Sequence, residues 1–222
     1  MNPSKSLLVA ALLVGAIVAP ASASDASWPG ASQMATVAAE ETLLYDQTTP
    51  TGVGGPPSSH YIHEPLMAAY DSQAADDFVV PEGALWTISR LVFDGEYRSL
   101  PGPVADIDVA LYADRAGQPG AKMSLAMRLK SYVDDAGKLS VTLPIGMTLP
   151  AGTYWLSVQA NIDYRSNGLW AFTSIDHTVG NPAVWRNPSG GYHLPCPNWQ
   201  PQAVCFGGAP GDLRFTIYGT KV

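Results

Sequence analysis

The strongest constraint on the fold of this chain is a strict alternation of apolar and polar side chains in several short segments. The alternation is clearest in residues 107–111, 125–129, 139–143 and 213–217. Successive side chains of a β-strand point to opposite faces, so each segment has one apolar and one polar face. This pattern is typical of antiparallel sheets that pack on a core with one face only. We therefore expect Leu125, Met127 and Leu129 to point into the core.

Five further segments have the composition of strands, at residues 78–80, 85–93, 153–160, 169–174 and 183–185. Turn-forming residues separate them, since the chain holds 21 glycines and 19 prolines and only 14% of its residues are charged. That composition favours short strands joined by turns over amphipathic helices. The sequence predicts an all-β fold, an antiparallel two-sheet sandwich that is jelly-roll-like, with about nine strands and no helix.

Two local patterns predict how the chain connects these strands. Asn167-Gly168 is a hairpin signal, because the favoured two-residue turn needs positive φ at both positions. It predicts that the strands at 153–160 and 169–174 lie side by side. Residues 48–60 contain three prolines and three glycines, and this composition indicates a loop.

The first residues have the pattern of a secretory signal peptide. Lys5 supplies a positive charge, residues 7–18 are an apolar stretch, and Ala21-Ser22-Ala23 is a small-residue cleavage site. The apolar stretch is shorter than the roughly 20 residues that a membrane-spanning helix needs. We predict a signal peptide at 1–23, a flexible leader at 24–41 and a single sandwich domain at 42–222. The protein is then exported by a bacterium, to the periplasm or the external medium.

The charge of the chain narrows its partners. Nineteen acidic residues against twelve basic ones give a net charge of −7. Nucleic acids and anionic membranes both attract basic surfaces, so neither is an expected partner. A polysaccharide or an extracellular protein remains, and the sequence leaves the oligomeric state open.

The chain has two cysteines, Cys196 and Cys205. In an exported protein such a pair is usually a disulfide. Metal ligation is the alternative, although two cysteines alone make an incomplete zinc site.

The sequence lacks the common catalytic motifs, including the nucleophile elbow, the zinc-protease helix motif and the phosphate-binding loop. A catalytic site can still be assembled in space from histidines and carboxylates, so a hydrolase remains a hypothesis. His60 and His63, followed by Glu64, suit part of a zinc site, or simply a solvated loop.

Three aspartates sit at strand ends, Asp76, Asp77 and Asp212. Carboxylates of extracellular sandwich domains bind calcium in some cases, which makes these residues candidate calcium ligands. The alternative is that they accept backbone N–H bonds at turns. Asp76 and Asp77 are adjacent on a strand, so they should point to opposite faces.

The aromatic residues give the most specific functional signal. Trp155 falls among polar neighbours, on the face of its strand opposite to Tyr154 and Leu156. Such a ring is either exposed for binding or covered by a loop. Flat aromatic rings on a sheet suit stacking on sugars or anchoring a protein partner. The candidate ligand-binding residues are Trp155, Trp170, Trp185, Tyr192 and Trp199. The alternative is a small core buried beneath the loop that the cysteines close.

The chain resembles a group of poorly characterised secreted bacterial β-sandwich domains, found alone or appended to extracellular enzymes, peptidases among them. The matching stretches are LYDQ at 44–47, ADDFVVP at 75–81, WTI at 86–88, GQPG at 117–120, LPAGTYWLSVQA at 149–160, AVWRNP at 183–188, the set Cys196, Trp199 and Cys205, and DLRF at 212–215. They span about residues 44–219. This chain has Phe172 where similar chains carry a second tryptophan. The resemblance implies export, a sandwich and a disulfide, and it implies no catalytic residues.

We expect a secreted, non-catalytic module that binds a glycan or a protein partner through an aromatic surface. A structural or envelope-associated protein without a small ligand is the second hypothesis. A hydrolase with a spatially assembled site is the third. No cofactor is expected, apart from the calcium that the three aspartates leave open.

Overall fold

The computed structural model describes residues 40–49, 52–208 and 211–222. The predicted signal peptide at 1–23, and the predicted leader up to residue 39, lie outside these ranges. The described strands are β1 (Thr42–Asp46), β2 (Val53–Pro57), β3 (Ser59–Tyr61), β4 (Gln73–Phe93), β5 (Gly95–Arg98), β6 (Asp106–Asp114), β7 (Pro119–Leu129), β8 (Tyr132–Asp135), β9 (Lys138–Ile162), β10 (Leu169–Ser174), β11 (Val184–Arg186), β12 (Gln200–Pro201) and β13 (Phe215–Lys221). Three helical turns accompany them, a 3₁₀ turn (Ala68–Tyr70), α1 (Tyr164–Asn167) and α2 (Gln202–Phe206).

The strands form two sheets that pack against each other, so the prediction of an all-β sandwich is confirmed. The large sheet has the order β1-β13-β4-β9-β6-β7, and β3, β8, β11 and β12 pair at its sides. The small sheet has the order β2-β10-β5. Apart from the short parallel pairing of β3 with β9, the pairings of the described strands are antiparallel. No helix among the described residues is long and apolar enough to cross a membrane.

Two long strands organise the large sheet. β4 and β9 pair from Ala74 opposite Val158 to Phe93 opposite Leu139. Each is one long strand that includes two segments which the sequence predicted as separate strands. The register shifts between Val80 and Leu85, and again near Ile88. Such bulges bend a sheet, so one strand contributes to two differently oriented parts of it.

The main core lies between the two sheets. Ile88, Leu91 and Leu139 of the large sheet are buried completely, and each such side chain contributes about 1.5–3 kcal/mol. The small sheet contributes Trp170 and Phe172, which lie on one face of β10 with their ring centroids 4.8 Å apart. The two rings therefore fill the core from the side of the small sheet.

The predicted hairpin at Asn167-Gly168 is wrong. The Asp163 carboxylate accepts the backbone N–H of Arg165 and of Ser166, so α1 begins there instead of a strand turn. Gly168 then ends α1 with φ at 78°. The chain leaves the large sheet at this point, and β10 pairs with β2 and β5 rather than with β9.

Two other local predictions also fail. In β7, Leu125 and Met127 are 42% and 57% exposed, because the register with β6 places Ala126 on the core side. A bulge at Arg128, where φ is 55°, returns Leu129 to the core. The predicted loop at 48–60 contains β2 and the start of β3, because β10 and β9 supply partners for these segments.

Gly95 fits directly against the Trp170 indole. An added Cβ at Gly95 would lie 2.3 Å from the ring, and the indole N–H donates to the Gly137 carbonyl at 2.7 Å, so the ring has little room to move. We predict that Gly95→Ala lowers the free energy of unfolding by about 1–3 kcal/mol, as overpacking of a core does. Urea unfolding followed by fluorescence measures this. Glu96→Ala, at the half-exposed neighbouring residue, is the control, and an equal effect of the two variants would contradict the steric account.

Candidate functional site

The structure buries three of the five aromatic residues predicted to bind a ligand. Trp155, Trp170 and Trp185 are each 0% exposed, so none of them can stack on a ligand at the surface. Each indole N–H has a hydrogen-bond partner, which for Trp155 is the Asp114 carboxylate and for Trp185 is the Pro57 carbonyl. These rings therefore support the fold, and the prediction of an exposed tryptophan surface does not hold for them.

Trp155 instead belongs to a small core on the outer face of the large sheet. Its neighbours there include Tyr112 and Val184, and Trp199 packs over them. The Trp199 ring meets the Tyr112 ring edge-on at 5.8 Å, and the Arg186 guanidinium lies 4.2 Å from the centre of the Trp199 ring. Trp199 lies in the loop that cysteines close, so this core is the covered arrangement that the sequence left as an alternative.

Cys196 and Cys205 form the predicted disulfide, with their Cα atoms 5.9 Å apart. Both residues are buried against the main core. The disulfide therefore anchors the loop between the two cysteines on the main core. Trp199, within this loop, covers the small core on the outer face of the large sheet. Metal ligation by this pair is excluded.

The predicted calcium ligands Asp76 and Asp212 are buried and bound by N–H donors. Asp76 accepts the backbone N–H of Leu213 at 2.7 Å and the side-chain amide of Gln47 at 2.8 Å. Asp212 accepts the backbone N–H of Val179 and of Ala183. These bonds are the alternative that the sequence left open, and they attach a connecting segment and β1 to the sheet.

Asp77 points to the other face of β4, as expected for a neighbour of Asp76. Its two carboxylate oxygens accept the backbone N–H and the side-chain amide of Asn181, each at 3.0 Å. Gly180 lies so close to this carboxylate that an added Cβ would be 2.8 Å from it. Throughout the ranges that the structure describes, no group of three or more His, Cys, Asp or Glu side chains is arranged to hold a metal ion.

Burial raises the pKa of all three carboxyl groups. For Asp212 the pKa rises to about 6, since burial and the charge of Asp77 outweigh the two backbone N–H donors. For Asp76, burial and the charge of Asp212 act in the same direction. Burial also raises the pKa of Asp77, against the donors of Asn181. A raised carboxyl pKa means that the folded protein binds protons more readily than the unfolded chain.

One cleft of the structure is lined by tyrosines, and we call it the tyrosine cleft. Its volume is about 330 Å³, within the range of small-molecule sites. The lining residues are Tyr61, Met67, Tyr70, Tyr164, Leu169 and Tyr192. Of the predicted ligand-binding residues, only Tyr192 lies there. The Tyr61 and Tyr164 rings meet edge-on at 5.6 Å, and the Tyr70 and Tyr192 rings do so at 5.3 Å.

Asn187 fixes the walls of the tyrosine cleft relative to each other. Its side-chain amide donates to the carbonyls of Ala69 and Asp71, both at 2.8 Å, and its amide oxygen accepts the N–H of Tyr192. Gly191 approaches the Ala69 carbonyl so closely that an added Cβ would lie 2.5 Å from that oxygen. The loop that carries Tyr192 (the Tyr192 loop) is therefore held against the 3₁₀ turn that carries Tyr70.

Two phenol groups of the cleft, those of Tyr61 and Tyr192, are held in the neutral form. Burial raises the pKa of Tyr61 and of Tyr192, and the neighbouring phenol raises that of Tyr61 further. The two hydroxyl oxygens lie 3.4 Å apart. Neutral hydroxyls both donate and accept hydrogen bonds, so the cleft offers apolar ring faces together with polar groups.

A second cavity of about 380 Å³ shares Tyr61 with the tyrosine cleft. It is polar, and its charged or titratable lining residues are His60, His63, Glu64 and Arg128. His60 Nδ1 lies 2.6 Å from the Asp71 carboxylate, which also accepts the N–H of Tyr61. The hydrogen bond to Asp71 raises the pKa of His60 above its ordinary value, against the effect of burial.

The pair of His60 and Asp71 has the geometry of a general base and its orienting carboxylate. A nucleophile is the missing part, because the described residues that line this cavity include no Ser, Thr or Cys. Covalent hydrolysis therefore finds less support here than binding. Tyr61, Tyr70 and Tyr164 were missed in the sequence because they lie in a three-residue strand and two single helical turns, which are too short for a periodic pattern to mark a side chain as exposed or buried.

No protein-family model matches the sequence, and a search of curated proteins returned no significant match.

Replacing the carboxyl group of Asp212 isolates its linkage to stability. Because its folded pKa is raised above the ordinary value of 3.8, Asp212 stabilises the fold most at low pH, and this contribution is lost as pH rises towards the folded pKa of about 6. The Asp212→Asn variant lacks this pH-dependent contribution to stability. The stability deficit of this variant relative to wild type should therefore be largest near pH 4 and shrink towards pH 7, by an amount on the order of 1 kcal/mol.

Urea unfolding at several pH values measures this change. Asp135→Asn, at the exposed last residue of β8, is the control for a generic loss of charge. A deficit that grows with pH would mean that the N–H donors dominate and that the folded pKa of Asp212 is lowered.

The titration of His60 tests the hydrogen bond to Asp71. In wild type, NMR should give a His60 pKa above the ordinary 6.5, and Asp71→Asn should lower it. The amide oxygen of the variant can still accept the N–H of Tyr61, so the local fold should persist. Asp135→Asn should leave the His60 titration unchanged, and an unchanged titration in Asp71→Asn would contradict the pairing.

Proposed function

We propose that this chain is a secreted, non-catalytic binding module whose tyrosine cleft holds a glycan. The observation that carries the proposal is the convergence of four tyrosines, from four separate segments of the chain, on one cleft of about 330 Å³. Three of them are partly exposed, and Tyr61 is almost completely buried behind them. Tyrosine rings give a ligand large contact areas at a low cost in conformational entropy, since they have few rotatable bonds. A rigid set of such rings is suited to a ligand that has both apolar faces and hydroxyl groups.

The chemistry of the cleft favours a sugar over a purely apolar ligand. Met67 and Leu169 complete an apolar wall against which the C–H face of a sugar ring can pack. The hydroxyls of Tyr61 and Tyr192 lie near each other and can exchange hydrogen bonds with sugar hydroxyls. An apolar ligand would offer these hydroxyls no partner beyond each other.

The polar cavity beside the tyrosine cleft extends the proposed site. A glycan that crosses Tyr61 would reach His60, His63 and Arg128, which are donors for hydroxyl or carboxylate groups of a further sugar. The acidic character of the whole chain does not oppose this arrangement, because the cations are local. Export of the module rests on the predicted signal peptide and is compatible with the disulfide.

Substitution of Tyr164 tests the proposal. Tyr164 lies on the short helix α1 and is partly exposed, so Tyr164→Ala should fold. We predict that wild type is retained on at least one matrix of a panel of insoluble polysaccharides and cell-wall fractions. Tyr164→Ala should bind about tenfold more weakly, since a lost ring contact of about 1.4 kcal/mol corresponds to that factor.

Two controls make this test specific. Tyr218→Ala removes a tyrosine from β13, outside the cleft, and should bind like wild type. Trp155→Ala should lower the melting temperature, because Trp155 is buried, yet bind like wild type wherever it is folded. Retention on no matrix by wild type would favour a structural role without a small ligand. Loss of binding in folded Trp155→Ala alone would place the site elsewhere.

A further inference from the structure

The large sheet has an open groove at one side, between two strand edges that lack a hydrogen-bonded neighbour. Among the described strands, β7 pairs with β6 alone. In β9, residues 147–149 pair with β4 alone, and residues 143–146 lie in a register shift of that pairing. The pairing of β9 with β8 ends at Val141, and that with β6 begins at Tyr154. A groove of about 450 Å³ lies between these two segments.

The groove is mainly apolar, with Ser124 and Thr148 as its polar lining residues. Leu111, Leu143 and Leu149 line it and are almost completely buried. At the rim, Leu125 is 42% exposed and Ile145 is 82% exposed, and Met123 continues the same surface. Natural proteins commonly protect an open strand edge from apolar exposure of this kind, and contiguous apolar patches mark interaction sites.

The charge around the groove is opposite to that of the chain as a whole. Residues 115–131 contain Arg115, Lys122, Arg128 and Lys130 and no acidic residue, although the chain has 19 acidic residues in total. Residues 143–149 carry no charge. The edge strand is therefore apolar in its middle and carries basic side chains towards its ends, of which Arg128 lies 3.4 Å from the Asp106 carboxylate of β6.

This distribution of charge decides which occupant fits. A second copy of the chain, paired β7 against β7 across a two-fold axis centred on Leu125, would place Lys122 opposite Arg128 of that copy. Like charges directly opposite each other destabilise strand pairs. A strand with acidic flanks would instead meet opposite charges at both ends, which favours association.

We propose that this groove binds an extended segment of a partner protein, with alternating apolar side chains and acidic flanks, which adds a strand to the β7 edge. Backbone hydrogen bonds to β7 supply affinity, and the apolar side chains of the segment fill the groove. The groove shares no lining residue with the tyrosine cleft, and Arg128, at one end of the β7 edge, also lines the polar cavity beside that cleft.

The test uses two labelled peptides with the same core of alternating valine and threonine. One has two aspartates at each end and the other has two lysines. Fluorescence anisotropy should show the acidic peptide binding wild type, more weakly as salt increases, and at least tenfold more tightly than the basic peptide. Amide NMR shifts on binding should be confined to residues 119–129 and 143–149.

Met127→Glu adds a negative charge to the exposed middle of β7, and it should reduce binding of the acidic peptide at least tenfold. Leu66→Glu, at an apolar residue that is 83% exposed and outside the groove, should bind like wild type. Any one of three results overturns the proposal. The first is equal binding of the two peptides to wild type, and the second is undiminished binding of the acidic peptide by Met127→Glu. The third is a concentration-dependent dimer in sedimentation velocity that Met127→Glu abolishes. The last would make a second copy the occupant.

Discussion

The pairing of β4 with β9 is the constraint on which the rest of the structure depends. β13 and β11 pair on β4, while β6, β3 and β8 pair on β9, so every other strand of the large sheet is placed directly or indirectly by these two. A slip of one residue between them would turn the core side chains of both strands outward. The buried carboxylates of Asp76 and Asp77 lie on β4 and bind segments on opposite faces of the sheet, so they work against such a slip.

The alternation of side chains was sufficient to predict the sandwich and most of its strands. It could not predict which strands would join or pair, because that depends on partners distant in the sequence. Asn167-Gly168 shows the limit: its hairpin chemistry is overruled by the carboxylate of Asp163, which begins a helical turn four residues earlier. β7 shows a second limit of sequence patterns. Alternating apolar residues predict a strand that faces the core, but an edge strand with an exposed apolar face has the same pattern.

The candidate site, like the fold, could be predicted from the sequence only in part. The sequence placed Trp155 on the face opposite to the main core, and this is confirmed, but it could not tell a covered ring from an exposed one. The cover is Trp199, contributed by a loop far along the chain. The tyrosine cleft is assembled from β3, the 3₁₀ turn, α1 and the Tyr192 loop, so nothing in any single segment distinguishes its residues. Two of these segments are held together by three hydrogen bonds of the Asn187 side chain, which form only in the folded protein.

The position of β1 has a consequence for how the chain folds in time. Thr42 lies opposite Gly219 on β13, 177 residues further along the chain, and β13 in turn pairs with β4. Closing a loop of that length is entropically costly, and folds dominated by such distant pairings form slowly. Until β13 arrives, one edge of β4 is open to other chains, in addition to the edge of β7 that is open in the folded structure as well. Refolding yield should therefore depend on protein concentration more than on the rate at which denaturant is removed.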